Sequence, residues 1–159
     1  MDDIRTLGHN DYRERLAALH RRDEELHLFE FWGDDSADQH QGTKLLCAGK
    51  LDAVEIINQP ALEVLPTFYQ RNLDIVFIDA IKTEYEAYLD LCVPMLKRSG
   101  LIVVDNLLWG GHAAEEPAAG DSADLKALRA FSKTFINHPQ LDTTIVPIGD
   151  GLGIGARID

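Results

Sequence analysis

The sequence contains very little cysteine. Two cysteines, Cys47 and Cys92, occur in 159 residues, and their separation matches neither a disulfide framework nor a thiolate metal site. We expect both to be reduced thiols, half-buried within predicted helices. The scarcity excludes the class of small secreted domains that are held together by disulfides.

Positive charge is also scarce. Lysine and arginine together number 15 against 27 aspartate and glutamate residues, which gives a formal net charge of -12. Phosphate groups would be repelled by such a surface, so nucleic acid and anionic membranes are excluded as main partners. An acidic surface is compatible with the binding of a cation.

Long apolar runs and export signals are missing as well. No run approaches the roughly 18 apolar residues of a membrane span, and the first residues, MDDIRTLGHND, are acidic and polar, unlike a signal peptide. We therefore expect a cytoplasmic protein. The sequence also lacks a nucleophile-elbow serine and a glycine-rich phosphate loop. An unrelated α/β phosphatase or hydrolase using Asp79 is therefore the weakest of the alternatives.

The chain does contain a regular alternation of strand and helix patterns, which predicts a single domain over residues 1–159. Residues 110–123, GGHAAEEPAAGDSA, predict a mobile surface loop. The predicted helices are 10–22, 36–49, 60–69, 83–97 and 125–136. The predicted strands are 3–7, 26–31, 53–58, 73–78, 101–104, 141–148 and 151–157.

This alternation predicts the fold class. Strands that alternate with helices form a parallel sheet with helices on both faces. The runs LDIVFI, apart from Asp74, and LIVV are apolar, as is typical of strands covered on both sides. The last two strands have no helix between them, so they should pair as a hairpin. We predict an α/β fold with a doubly wound, mostly parallel sheet and an antiparallel C-terminal hairpin.

Oxygen-bearing side chains follow the two strongest strands. Asp79 ends LDIVFI, and Asp105 and Asn106 follow LIVV directly. Ligands in open α/β sheets bind at the carboxyl ends of the strands, where these three side chains would converge. Carboxylate and amide oxygens suit Mg²⁺ or Ca²⁺. The alternative is that each residue only forms a turn or caps a helix.

Two further residues lie at the same predicted edge. Lys82 could act as a general base if its pKa is depressed; alternatively it is a solvated lysine at a helix N-terminus, an electrostatically poor position. Trp109 could form a wall beside an aromatic substrate or pack under the loop as a core residue. Gly110 and Gly111 would allow the following loop to move as a lid.

Residues 74–111 carry a resemblance to a known family. The stretch DIVFIDAIKTEYEAYLDLCVPMLKRSGLIVVDNLLWGG resembles the core of the cation-dependent O-methyltransferases, the caffeoyl-CoA and catechol O-methyltransferase-like enzymes. That family carries a phrase close to D-x-V-F-I-D-A-x-K-x-x-Y and, after a helix, G-G-L-I-x-x-D-N-x-L-W-x-G. The segments AGKLDAVEIINQPALEVLP and PIGDGLGIGARID are also similar to the family. The likeness covers residues 48–159.

The resemblance implies a Rossmann-like methyltransferase fold and the transfer of a methyl group from S-adenosylmethionine to a hydroxyl of a small catechol-like or phenolic substrate. It implies metal ligation by Asp79, Asp105 and Asn106, with Mg²⁺ or Ca²⁺ as the ion. It also implies that Lys82 is the catalytic base beside the substrate and that Trp109 contacts the substrate. A homodimer is compatible with it.

The amino-terminal part departs from the family pattern. The family's glycine-rich turn, close to E-I-G-T-x-x-G-Y-S, is missing, and its nearest counterpart, IRTLGHNDYRERLAAL, keeps a single glycine. Residues 1–50 therefore form a divergent cofactor half, and residues 51–159 form the metal and substrate half. The alternative to an enzyme is a non-catalytic relative that serves as a binding or scaffold protein. The resemblance implies cofactor contacts at Gly8, Glu30, Trp32, Ala61 and Asp79. Asp34 is the alternative to Glu30, and Trp32 could instead be an edge aromatic packed on the sheet.

Overall fold

The structure is a computed structural model that describes residues 15–22, 25–32, 54–57, 59–68 and 72–158. Within these ranges seven strands form one sheet in the order β3-β2-β1-β4-β5-β7-β6. The strands are β1 (Arg15–Arg22), β2 (Glu25–Trp32), β3 (Val54–Ile57), β4 (Leu73–Asp79), β5 (Leu96–Val104), β6 (Leu141–Val146) and β7 (Leu152–Arg157).

Helices and 3₁₀ turns connect the strands in the same ranges. The α-helices are α1 (Ala61–Val64), α2 (Tyr85–Cys92) and α3 (Ala123–Ile136), and the 3₁₀ turns span Leu65–Thr67, Lys82–Glu84, Val93–Met95 and Trp109–Ala114. The predicted helix 83–97 is thus shorter than expected. Its last turn is the 3₁₀ turn that contains Pro94, because proline cannot continue the hydrogen bonding of an α-helix. No helix in the described ranges is long and apolar enough to cross a membrane.

The predicted α/β class and the C-terminal hairpin are confirmed. Strand β4 pairs with β5 in parallel, and β2 pairs with β3 in parallel. Strand β7 pairs antiparallel with both β5 and β6. The predicted strands 26–31, 53–58, 73–78, 101–104, 141–148 and 151–157 all occur. Their ends shift by one or two residues, except that the predicted strand 101–104 begins five residues earlier, at Leu96. The predicted strand 3–7 and helix 36–49 lie outside the described residues.

The predicted helix 10–22 is wrong over its described part, because residues Arg15–Arg22 form strand β1. This strand pairs antiparallel with β2 along its full length and antiparallel with β4 from Arg15 to Leu19. The short apolar run LAAL fits a helix or a strand equally well. Pairing on both sides outweighs the helix propensity of leucine and alanine, which is a weak local preference. Four of the six strand pairings in the described ranges are therefore antiparallel, at β1 and at the C-terminal hairpin, whereas the sequence predicted a mostly parallel sheet.

The core lies where α2 and α3 cover β4 and β5. Phe131 of α3 meets the Tyr85 ring edge-on, with 5.3 Å between ring centroids, and stacks on Phe135 at 5.6 Å. Burial of such large rings is the main favourable contribution to folding. This packing makes β4 and β5 a firm support for the residues at their ends. The fully buried members include Val76, Ile78, Ile102, Val104, Tyr88, Leu89 and Leu128.

Candidate functional site

The ends of β4 and β5 form one edge of the sheet. Ile78 pairs with Val104 in the parallel register, and the backbone N–H of Asp105 donates to the Ile78 carbonyl at 3.0 Å. Asp79 and Asp105 therefore leave the sheet side by side. Asn106 then adopts a φ of 65°, a left-handed conformation that asparagine tolerates better than most residues. Its N–H donates to Asp105 Oδ1 at 2.7 Å.

Lys82 is buried at this edge. The residue is 5% exposed, and its Nζ donates to Asn106 Oδ1 at 2.7 Å and to Asp79 Oδ1 at 3.2 Å. The two oxygens thus face a single point, occupied by the lysine ammonium. The alternative of a solvated lysine is wrong, because the 3₁₀ turn that begins at Lys82 directs the side chain inward. The structure brings together Asp79, Lys82, Asp105 and Asn106, as the sequence predicted.

Burial changes the acidity of Lys82. Loss of hydration lowers the pKa of the Lys82 ammonium below its ordinary value, while the carboxylates of Asp79 and then Asp105 oppose that shift. A lowered pKa increases the fraction of neutral amine near neutral pH. This is the condition under which a lysine can accept a proton.

The donor set fits a hard divalent cation. Asp79 Oδ1 and Asn106 Oδ1 already face one positive group, and the Asp79 side chain is 37% exposed, so the site can be reached from solvent. The Asp105 carboxylate is near enough to affect the pKa of Lys82. Across the part of the chain that the structure describes, no three His, Cys, Asp or Glu side chains cluster as a metal site. The set at this edge is two carboxylates and one amide, all oxygen donors.

Trp109 begins a 3₁₀ turn shortly after these residues and is half-buried against the core. The β6–β7 turn holds the segment in front of it. The N–H groups of Leu107 and Leu108 donate to the carbonyls of Gly151 and Asp150, each at 2.9 Å. The N–H of Gly110 donates to the Asp150 carboxylate. The sequence indicated a hairpin connection at this turn but not its hydrogen bonds to the residues on either side of Trp109.

Arg129 of α3 contacts the predicted mobile loop, residues 110–123, near both of its ends. Its Nη2 donates to the His112 carbonyl at 2.7 Å, its Nε donates to the Ala113 carbonyl at 3.4 Å, and its Nη1 forms an ion pair with Asp121. The pKa of Asp121 lies below its ordinary value. The main cause is the hydrogen bond from the Ala118 N–H, and the Arg129 guanidinium contributes less. The sequence offered no signal for this contact, since a single arginine on an amphipathic helix usually faces solvent.

The predicted cofactor residues lie partly within the described ranges. Trp32 and Asp79 both pair with Arg15, so the end of β2 reaches the same sheet edge as the end of β4. Glu30 lies two residues earlier in β2, opposite Ile56 of β3. Ala61 begins α1 after β3 and is buried. Gly8 and Asp34 lie outside the described residues.

The direction of β1 changes which segment reaches this edge. In a parallel strand the carboxyl end would lie beside Asp79, and a cofactor loop would follow it. Because β1 is antiparallel, its first residue, Arg15, lies beside Asp79, and its last residue, Arg22, lies at the opposite edge. The carboxyl end of β1 therefore does not lie beside Asp79.

These features define a Rossmann-like α/β domain whose central strands end in oxygen donors and a buried lysine. Comparison with known proteins gives the family. The chain belongs to the O-methyltransferase family, whose model matches residues 37–158.

Individual relatives agree with this assignment. Catechol O-methyltransferase from Mycobacterium tuberculosis is 39% identical over 99 residues, covering 62% of this chain and 44% of the relative. Probable caffeoyl-CoA O-methyltransferase 1 from Dictyostelium discoideum is 30% identical over 133 residues, covering 84% and 54%. The crystal structure of cofactor-bound Rv0187 from MTB aligns with a TM-score of 0.64 at 36% identity, covering 72% of this chain and 54% of that one. The chain thus spans about half the length of the curated relatives it matches.

Proposed function

We propose that this chain carries the site of an S-adenosylmethionine-dependent, divalent-cation-dependent O-methyltransferase that acts on a small catechol-like or phenolic substrate. The observation that carries the proposal is the convergence of Asp79 and Asn106 on the buried Lys82 amine. Membership of the O-methyltransferase family supports the reaction class. The names of the relatives, catechol and caffeoyl-CoA O-methyltransferase, support the substrate class.

Lys82 is the proposed general base. Its amine lies at the edge of the sheet where ligands bind, and its surroundings lower its pKa. A neutral Lys82 amine would accept the proton of the substrate hydroxyl as that oxygen becomes the nucleophile. Asp79 and Asn106 hold the amine at this edge through their side-chain oxygens.

Asp79, Asp105 and Asn106 are the proposed ligands of Mg²⁺ or Ca²⁺. When bound, the ion would supply Lewis-acid stabilisation of the substrate oxygens and lower the pKa of the reacting hydroxyl. Two neighbouring carboxylates repel each other, and Lys82 offsets part of that repulsion in the structure. Trp109, whose neighbours Leu108 and Gly110 hydrogen-bond to the β6–β7 turn, is the proposed aromatic wall of the substrate pocket.

The cofactor contacts are proposed at Gly8, Glu30, Trp32, Ala61 and Asp79. The backbone register supports Trp32 and Asp79, because both pair with Arg15 at the same edge. Glu30 would accept from the ribose hydroxyls, and Trp32 would stack on adenine. Ala61 is small and buried at the start of α1, which suits close approach of a ligand to the backbone.

A methyl-transfer assay tests this function. The chain is incubated with S-adenosylmethionine and catechol, with Mg²⁺ or with a chelator, and methylated catechol is measured by mass spectrometry. We expect product that depends on the ion and disappears with the chelator. Absence of product at millimolar cofactor, with Mg²⁺ still raising the melting temperature, would contradict the enzyme and favour the non-catalytic alternative.

A further inference from the structure

Tyr85 contacts Lys82 from beneath the site. The residue is fully buried, yet its hydroxyl lies 2.5 Å from Lys82 Nζ and donates to the Asp105 carbonyl at 3.2 Å. Lys82 Nζ also lies 4.8 Å from the centroid of the tyrosine ring. A single buried hydroxyl therefore joins the proposed base to the backbone of a proposed metal ligand.

The local fold explains this placement. Lys82 begins a 3₁₀ turn and Tyr85 begins α2 three residues later. In a 3₁₀ turn the side chains at i and i+3 lie on the same face, so the amine and the phenol point the same way. Phe131 then fixes the tyrosine ring from α3 by an edge-on contact.

Packing alone does not account for the hydroxyl. A phenylalanine would fill the same space against Phe131 without placing a polar atom in the core, where an unpaired hydroxyl is costly. Burial and the Asp79 carboxylate raise the pKa of Tyr85 above its ordinary value, so the group remains a neutral phenol. Its hydrogen goes to the Asp105 carbonyl, which leaves an oxygen lone pair for Lys82.

The contacts of Lys82 fill its hydrogen-bonding capacity. A lysine ammonium has three donors and no acceptor, and Nζ meets three oxygens, on Asp79, Tyr85 and Asn106. Asp79 and Asn106 are also proposed cation ligands. If a cation bound those two oxygens, the Tyr85 hydroxyl would be the one of these three contacts that the amine does not share with the cation.

We propose that Tyr85 is a positioning residue that holds the Lys82 amine at the sheet edge through its hydroxyl. As a catalytic role this rests on the proposed function, but the contact with Lys82 can be tested without it. Loss of the hydroxyl should lower kcat and leave KM for the methyl acceptor nearly unchanged, because the amine would be misplaced while the pocket stays intact.

Acylation of lysine tests the contact without turnover. The full chain is treated with N-hydroxysuccinimidyl acetate, and the labelling rate of each lysine is followed by peptide mass spectrometry. The variant is Tyr85→Phe, and the matched control is Tyr88→Phe, which removes a buried hydroxyl that donates to Glu84 one turn along the same helix. Lys97, which is largely exposed and paired with Asp74, serves as the internal reference.

We expect Tyr85→Phe to raise the Lys82 labelling rate about fivefold, the factor that corresponds to loss of one net hydrogen bond. Tyr88→Phe should leave that rate unchanged, and neither variant should alter labelling of Lys97. Equal Lys82 rates in the parent and Tyr85→Phe would overturn the proposal.

Kinetics test the catalytic consequence. With catechol, S-adenosylmethionine and Mg²⁺, Tyr85→Phe should lower kcat about tenfold and change KM less than twofold, while Tyr88→Phe keeps both values. An unchanged kcat in Tyr85→Phe would contradict a positioning role. Absence of turnover in the parent would instead refute the proposed function, and the labelling result would still decide whether Tyr85 holds Lys82.

Discussion

Gly149 and Gly151 of the β6–β7 turn offer a matched pair of alanine substitutions. Gly151 has a φ of 90°, and a Cβ placed on it would lie 2.4 Å from Leu108 Cγ and 2.6 Å from the Leu108 backbone nitrogen. Gly149 has a φ of 57°, but a Cβ there would meet nothing within 4 Å. Both alanine variants are strained by the positive φ, and Gly151→Ala alone also collides with the backbone of Leu108.

The two costs can be separated. An alanine in the left-handed region costs about 1–2 kcal/mol, and overpacking adds roughly 1–3 kcal/mol. We therefore expect Gly149→Ala to destabilise the fold by about 1 kcal/mol and Gly151→Ala by about 2–5 kcal/mol. For a chain of 159 residues, a loss of ~3 kcal/mol lowers the melting temperature by roughly 6–12 °C.

Differential scanning calorimetry of the two variants measures this difference. Gly151→Ala should melt several degrees below Gly149→Ala, and it should also disturb the segment before Trp109, because Leu107 and Leu108 hydrogen-bond to this turn. Equal melting temperatures for the two variants would refute the reasoning, since they would show that contact with Leu108 imposes no cost beyond the backbone strain.

Three further predictions concern the site, the loop and the core. Lys82→Met should lower the methyl-transfer rate by about 10²–10⁴, the usual contribution of a general base, whereas Lys97→Met at the opposite end of the sheet should leave it unchanged. Arg129→Met should speed cleavage after Glu115 by a glutamyl endopeptidase, because Arg129 no longer holds the loop that carries the cleavage site. Cys92 should resist iodoacetamide at pH 8 until the protein is unfolded, because burial raises the pKa of its thiol to about 12; peptide mapping measures its alkylation.

The central strands and the site could be predicted because local sequence determines both. LDIVFI, apart from Asp74, and LIVV consist of apolar residues that are mostly β-branched or aromatic, and this composition at that length favours a buried strand. The polar residues that follow mark the end of each strand. Parallel pairing then places Asp79 beside Asp105, as the register of Ile78 with Val104 confirms.

The direction of β1 could not be predicted, because it depends on partners far along the chain. Its pairing with β4 joins residues more than 55 positions apart, such as Leu19 and Ile75. Tyr85 was treated as part of an apolar helix face for a similar reason. Its ring does pack in the core, but the position of its hydroxyl depends on Lys82 and on the Asp105 carbonyl. A periodic apolar pattern predicts which face of a helix is buried. It gives no information on which partners a single polar atom on that face will contact.

Arg129 shows the same limit for the loop. The composition of residues 110–123 correctly indicates an irregular segment, and a 3₁₀ turn begins it. Composition cannot show that Arg129 of α3 binds the loop, because this contact requires the carbonyls of His112 and Ala113 to face the helix.

Calorimetric titration of Mg²⁺ tests the central claim most directly. The parent chain is compared with Asp105→Asn, which keeps the size of the side chain and removes its charge, and with Asp142→Asn, an exposed position on β6. If Asp79, Asp105 and Asn106 form one cation site, Asp105→Asn should raise the Kd for Mg²⁺ at least about tenfold, and Asp142→Asn should leave it unchanged. Equal affinities in all three proteins would contradict the account.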